Sequence, residues 1–154
     1  MPWWRMNAGV TGPVEHDDAV REGIARLVRE MSGTGVNPDA PERLVMGLLG
    51  DRWSSLILLV LETGTWRHAE LRRVLCELSY EGAISQRVLT LKLRSLEREG
   101  FVKRQATDDV PPKVSYSLLP LGIALVGELR RMIGWISSHR DQILAARERF
   151  AREE

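Results

Sequence analysis

The stretch from residue 84 to 118 constrains this chain most, because a helical period there gives way to strand alternation at a single glycine. Ile84, Val88, Leu89, Leu93 and Leu96 recur every three or four residues, which predicts one inward face of a helix over 84–99. Gly100 closes that helix. The segments FVKRQA (101–106) and KVSYSL (113–118) then alternate apolar and polar residues, as half-buried strands do. TDDVPP joins them, and its prolines suit a loop with no obligatory ladder donors.

The rest of the chain is helical in pattern. Residues 67–78 form a basic amphipathic helix with Leu71, Val74, Leu75 and Leu78 inward, followed by the connector Ser79 to Gly82. Before it, Asp51 opens a helix whose stripe of Trp53, Leu56, Ile57, Val60 and Leu61 reads as the most buried of the domain, stopped at Gly64. Thr65 and Trp66 suit a short strand. Val20, Ile24, Leu27, Val28 and Met31 predict an earlier helix, with Asp17 and Asp18 at its N-terminus and Ser32 to Gly35 as its stop. Pro41 begins another, with Leu44, Val45, Leu48 and Leu49 inward. Residues 1–15, including Trp3 and Trp4, read as a poorly ordered arm. After Pro120 the pattern is helical almost to residue 154. Leu125, Leu129, Met132, Ile136, His139, Ile143, Ala146 and Phe150 form a coiled-coil-like seam, with a break expected near Gly134 or Ser137-Ser138.

Charge and composition narrow the function. The chain has 154 residues and a net charge of +1, but residues 67–104 carry 9 basic against 5 acidic side chains. A local basic surface is one footprint of nucleic-acid binding; a solvated helical face is the plainer reading. One cysteine and three dispersed histidines exclude an internal disulfide and a zinc site of usual spacing, and no cofactor motif is present. The longest apolar run, Leu56 to Leu61, is too short for a bilayer, and no secretory signal pattern opens the chain, so a cytoplasmic location without membrane contact is expected. With no nucleophile elbow, phosphate loop or metal cluster, the chain is not expected to be an enzyme.

The order helix, helix, short strand, helix, turn, helix, hairpin, long helix is the winged helix-turn-helix plan. The fold class is therefore mainly α with a small β wing. Residues 1–40 would be an arm and extra helix, 41–120 the DNA-binding domain, and 121–154 the dimerisation helix or helices. In this plan the second helix of the motif enters the major groove and the hairpin lies along the flanking backbone. Ser85, Gln86, Arg87, Thr90, Leu91, Lys92 and Arg94 would face outward or flank the inward stripe. Gln86 can pair with adenine, and Arg87 with guanine or a phosphate. Thr90 joins them as a base contact. Arg67, Arg104 and Lys113 are placed for phosphates, with Lys103 beside them; Asp108 and Asp109 at the wing tip would be repelled.

These segments also resemble a known family. LLGDRWSSLILLVL (48–61), RHAELRRVL (67–75), ISQRVLTLKLRSLEREGFVKR (84–104) and VPPKVSYSLLPLG (110–122) are similar, in order and in spacing but for one insertion, to HxlR-type transcriptional regulators, a MarR-like branch of the winged-helix proteins. The resemblance covers about residues 44–136. It implies a homodimeric bacterial repressor or activator, dimeric through its N- and C-terminal helices, that binds a double-stranded DNA operator. It also implies that Ser85, Gln86, Arg87, Thr90 and Lys92 lie on the recognition helix. Departures are an insertion of about six residues around Cys76 to Glu81, Leu91 at a usually polar position, His68 in place of an aromatic, and Leu119-Pro120 in place of a Thr-x pair. Family members that sense oxidants tend to have a cysteine just before the first domain helix, and Asp39 to Arg43 has none.

Other candidates have plainer readings. Cys76, near Arg72 and Arg73, reads as a half-buried small residue, and His68 as surface packing. His139 reads as a partly buried or dimer-facing residue, with a pH-sensitive interface as the alternative. Trp53 and Trp66 read as core, with the lining of a small-molecule effector pocket as the alternative. Any such ligand would act by changing the separation of two recognition helices. The alternative function is a winged-helix module that binds protein rather than DNA, favoured by the insertion, Leu91 and the acidic wing tip.

Overall fold

The computed structural model describes residues 18–32, 37–79 and 82–154. The expectations for the N-terminal arm, for Asp17 as a cap and for Tyr80 and Glu81 in the connector lie outside these residues. Contacts divide the chain into two units at Gly47–Leu48.

In the first unit, α1 (Asp18–Ser32) is a regular helix. Val20, Ile24 and Leu27, expected to form its inward face, are exposed. Periodicity gives the helix and its stripe, but a stripe is buried only where something covers it. α2 (Pro41–Leu49) begins at Pro41 as expected and ends across the unit boundary.

The second unit holds the sheet and the core. α3 (Arg52–Leu61) is capped by Asp51, whose side chain accepts from the Trp53 amide at 2.8 Å. Its residues Trp53, Ile57, Leu58, Val60 and Leu61 are buried, in agreement with the wide stripe, although Leu56 is only half-buried. β1 (Trp66–Arg67) lies one residue later than expected, and α4 (His68–Leu78) follows at once. Leu71 and Leu75 of α4 are buried, whereas Leu78, expected inward, is exposed in its last position. α5 (Gln86–Arg98) leads into β2 (Val102–Ala106) and β3 (Val114–Leu118). The sheet is antiparallel in the order β1-β3-β2, with Trp66 opposite Tyr116 and Arg104 also opposite Tyr116.

Both ends of α5 are fixed by local chemistry. Ser85 is the N-cap and accepts from the Val88 amide at 3.1 Å. Ile84 before it and Leu89 after it are both buried, at the two positions of a hydrophobic staple. At the other end, Gly100 adopts φ +82°. The Gly100 amide donates to Glu97 O and the Phe101 amide to Leu96 O, each at 3.0 Å, which is a Schellman closure with Leu96 and Phe101 buried over it. This geometry corrects one expectation. Val88 is 36% exposed, because Ile84 precedes the helix and the buried stripe within it runs only through Leu89, Leu93 and Leu96.

The C-terminal stretch is two helices, α6 (Pro120–Ser138) and α7 (Arg140–Glu153), interrupted at His139 immediately after the serine pair. Gly122 is required where α6 starts, since a Cβ there would run into the Phe101 carbonyl. α6 is tied to the C-cap of α3 by a bidentate pair in which Arg130 Nε donates to Glu62 at 2.8 and 3.0 Å. Each member favours the other's charge, holding Glu62 below and Arg130 above its ordinary pKa through their hydrogen bond. The seam behaves differently along its length. Leu129 is buried and Leu125, His139 and Ile143 are half-buried, while Met132, Ile136 and Phe150 are exposed.

Candidate nucleic-acid interface

The outward face of α5 is built by subtraction. Leu89, Leu93 and Leu96 take the inward positions, and Ser85 caps the first turn. That leaves Gln86, Arg87, Leu91 and Arg94 exposed, with Thr90 half-buried beside them. The helix presents amide and guanidinium groups at its N-terminal turn, where the backbone dipole also favours an anion. Leu91 is 53% exposed among them, an apolar group in an otherwise polar face that Val88 borders.

Two long-range contacts hold this helix in place. Arg72 Nε of α4 donates to the Ile84 carbonyl at 2.9 Å, which pins the end of the connector against the bracing helix. Lys92 on the flank of α5 donates to Asp51, the N-cap of α3. Burial alone would raise the Asp51 pKa, but the bond from Lys92 and that from the Trp53 amide together hold it below the ordinary value. Lys92 therefore ties α5 to α3, and its charge is shared with a carboxylate.

The remaining expected residues gather at the wing side. Arg67 is exposed on β1 at the N-cap of α4. Every residue from 103 to 113 is exposed, which places Lys103, Arg104 and Lys113 on the free surface of the hairpin together with Asp108 and Asp109. The Lys113 amide donates to Thr107 Oγ1 at 2.9 Å and the Thr107 amide to the Lys113 carbonyl at 3.0 Å, which closes the hairpin below its tip. Arg94 and Arg104 line a groove of about 660 Å³ between α5 and the wing, with His68, Thr90, Glu97, Val114 and Tyr116.

His68 is the residue whose place the sequence did not reveal. It starts α4, yet its Nε2 lies 3.0 Å from Thr90 Oγ1 and its ring is tilted against Tyr116 at 6.2 Å. Thr90 Oγ1 donates its own proton to the Gln86 carbonyl at 2.8 Å. Nε2 of His68 must then carry the hydrogen and donate to Thr90. Burial, followed by the neighbouring Arg72 cation, holds the imidazole below its ordinary pKa. The available signal was its position one residue after Arg67, which periodicity alone does not weigh. Cys76 is half-buried on α4, as expected for a small residue. Trp53 is in the core, whereas Trp66 is half-buried and its Nε1 donates to Thr63 Oγ1 at 3.0 Å. His139 caps the junction of α6 and α7, stacked on Trp135 at 4.3 Å.

A helix pair braced by a third helix and followed by an antiparallel hairpin defines a winged helix-turn-helix protein. The chain belongs to the HxlR-like helix-turn-helix family, whose model matches residues 48–144. It is 37% identical over 111 residues to YtfH of Escherichia coli, an uncharacterised HTH-type transcriptional regulator, covering 72% of this chain and 83% of that one. Among solved structures it is similar to ytfH from Salmonella typhimurium, with a TM-score of 0.60, 37% identity, and coverage of 73% of this chain and 95% of that one. It is also similar to the reduced form of the redox regulator HypR, with a TM-score of 0.58, 35% identity, and coverage of 68% and 98%. The protein is thus a helix-turn-helix transcriptional regulator by family. No single helix among the described residues is long and apolar enough to cross a membrane.

Proposed function

We propose that this regulator is a homodimer that binds double-stranded operator DNA, with α5 of each copy in the major groove and the wing on the flanking backbone, in the cytoplasm. Gln86, Arg87 and Thr90 read base edges. Arg67, Arg104 and Lys113 meet phosphates, and Arg94 flanks them from α5. Ser85 and Lys92 serve chiefly by fixing where α5 starts and how it is held. The observation that carries this reading is the exposed polar N-terminal half of α5, whose opposite face is fully committed to the core. Dimerisation is supported by the exposed apolar side chains of α6 and α7, including Met132, Trp135, Ile136 and Phe150. On this reading residues 41–120 bind DNA, and the extra helix of residues 1–40 joins residues 121–154 in forming the dimer. Two α5 copies about 34 Å apart would read a pseudo-palindromic site. A small-molecule effector would act by changing that separation. HypR is described as a redox regulator; the absence of a cysteine at 39–43 gives no support for carrying that property over.

Leu91 on the outward face favours a second reading, a protein-binding module. Gel-shift titration with the DNA upstream of the protein's own gene, at two salt concentrations, separates the two. Phosphate neutralisation makes log affinity fall steeply with log salt, whereas an apolar protein contact does not. Arg87→Ala is expected to weaken specific binding by roughly 1–3 kcal/mol. Unchanged affinity would remove Arg87 from the contact surface.

A further inference from the structure

We propose that His68 makes DNA binding proton-linked, because its imidazole shares the groove between α5 and the wing with Arg94 and Arg104 and gains a proton when a phosphate enters. The inference rests on the DNA-binding reading and adds a site and a regulation to it.

The geometry supplies both halves of the linkage. Groove-lining groups come from four elements: His68 from α4, Thr90, Arg94 and Glu97 from α5, Arg104 from β2, and Val114 and Tyr116 from β3. Arg72, also on α4, acts on the imidazole as a like charge, and Arg67 precedes it in the chain. Two arginines against one glutamate give the groove an excess positive charge while His68 is neutral. Protonation adds a second. That charge is resisted in the free protein by burial and by Arg72. A phosphate diester in the groove offsets the arginines and places an anion beside the ring, which favours the imidazolium.

Hydrogen-bond accounting identifies the nitrogen that titrates. Nε2–H is fixed by its bond to Thr90, whose proton goes to the Gln86 carbonyl. Nδ1 is then the site of proton uptake, and the bond to Thr90 survives in both charge states. His68 also lines an adjoining recess with Gln86, Arg87, Thr90, Leu91 and Arg94. One side chain thus borders both the recess at Gln86 and Arg87 and the groove at Arg94 and Arg104, so proton uptake adds attraction without releasing Thr90.

The direction follows from linkage: if the complex binds more protons than its free parts, affinity rises as pH falls. The test is fluorescence anisotropy of a rhodamine-labelled duplex from upstream of the protein's own gene, titrated with the full-length protein at pH 8 and pH 6 at constant ionic strength. Wild-type affinity is expected to rise roughly three- to tenfold between these values, and His68→Gln to lose that rise. The ratio is read within each protein, so a general weakening of the variant cancels. A wild-type ratio of one, or an equal ratio in His68→Gln, overturns the proposal while leaving DNA binding intact. Binding to no duplex at either pH, even at low salt, overturns the DNA-binding reading and this inference together. An NMR titration of the His68 ring, with and without the duplex, gives the second readout: its midpoint must rise in the complex.

Discussion

α5 and the α6–α7 stretch carry similar apolar spacing but spend it in opposite ways. In α5, Leu89, Leu93 and Leu96 are fully buried within one chain, and what remains outside is polar apart from Leu91 and the edge of Val88. In α6 and α7, only Gly122, Val126 and Leu129 are buried, while Trp135 is 57% and Phe150 63% exposed. The contrast teaches that one region satisfies its stripe internally and can offer a polar face, whereas the other leaves apolar surface uncovered in the single chain, the surface on which the proposed dimer depends.

The largest test of that contrast is Leu93→Ala. It should remove about 2–5 kcal/mol of unfolding free energy, measured by chemical denaturation. A loss below 1 kcal/mol would mean that the α5 stripe does not hold the domain together. The matching change in the other region, Ile136→Ala, should scarcely alter the unfolding of the single chain but weaken self-association about tenfold, or roughly 1.4 kcal/mol. Sedimentation velocity across a dilution series checks it, and a chain that is monomeric at all concentrations would break the comparison. Ser85→Ala should cost about 1 kcal/mol of stability through the lost bond to the Val88 amide, visible as a lower thermal midpoint.

The smallest effect concerns pH. Asp51 titrates below its ordinary value in the folded chain, so the unfolded state binds more protons as acid is added. Its contribution is present above the ordinary carboxylate pKa of about 4 and is lost as pH falls through the folded value. Replacing Lys92 with Met should flatten the acid limb of a stability–pH curve. An unaltered limb would show that the ion pair between α3 and α5 is energetically idle.

Much of this was legible along the chain because its causes are local. The closure at Gly100, the cap at Ser85, the start at Pro41 and the alternation of the two wing strands each depend on a few neighbouring residues. Of the two places the pattern offers for a break, Gly134 and Ser137-Ser138, the helix stops at the second. Val88 was misplaced because Ile84 is buried by a staple outside the helix, so counting from it shifts the apparent stripe. The bond between Lys92 and Asp51 joins positions 41 apart, and the one between His68 and Thr90 joins positions 22 apart. No periodicity reports such pairs. The outward residues Gln86 and Arg87 were readable by elimination, but the groove that joins Arg94 to Arg104 exists only once the hairpin folds beside the helix.

At Phe101 the close of α5 meets the start of α6. Its amide finishes α5, its carbonyl accepts the Leu119 amide at 2.9 Å, and Gly122 sits against that same carbonyl. One residue therefore anchors the end of one helix and the beginning of another, although the whole hairpin separates the two in the chain. A twist applied to α6 from outside would reach the end of α5 through that single residue, as through a shared bolt.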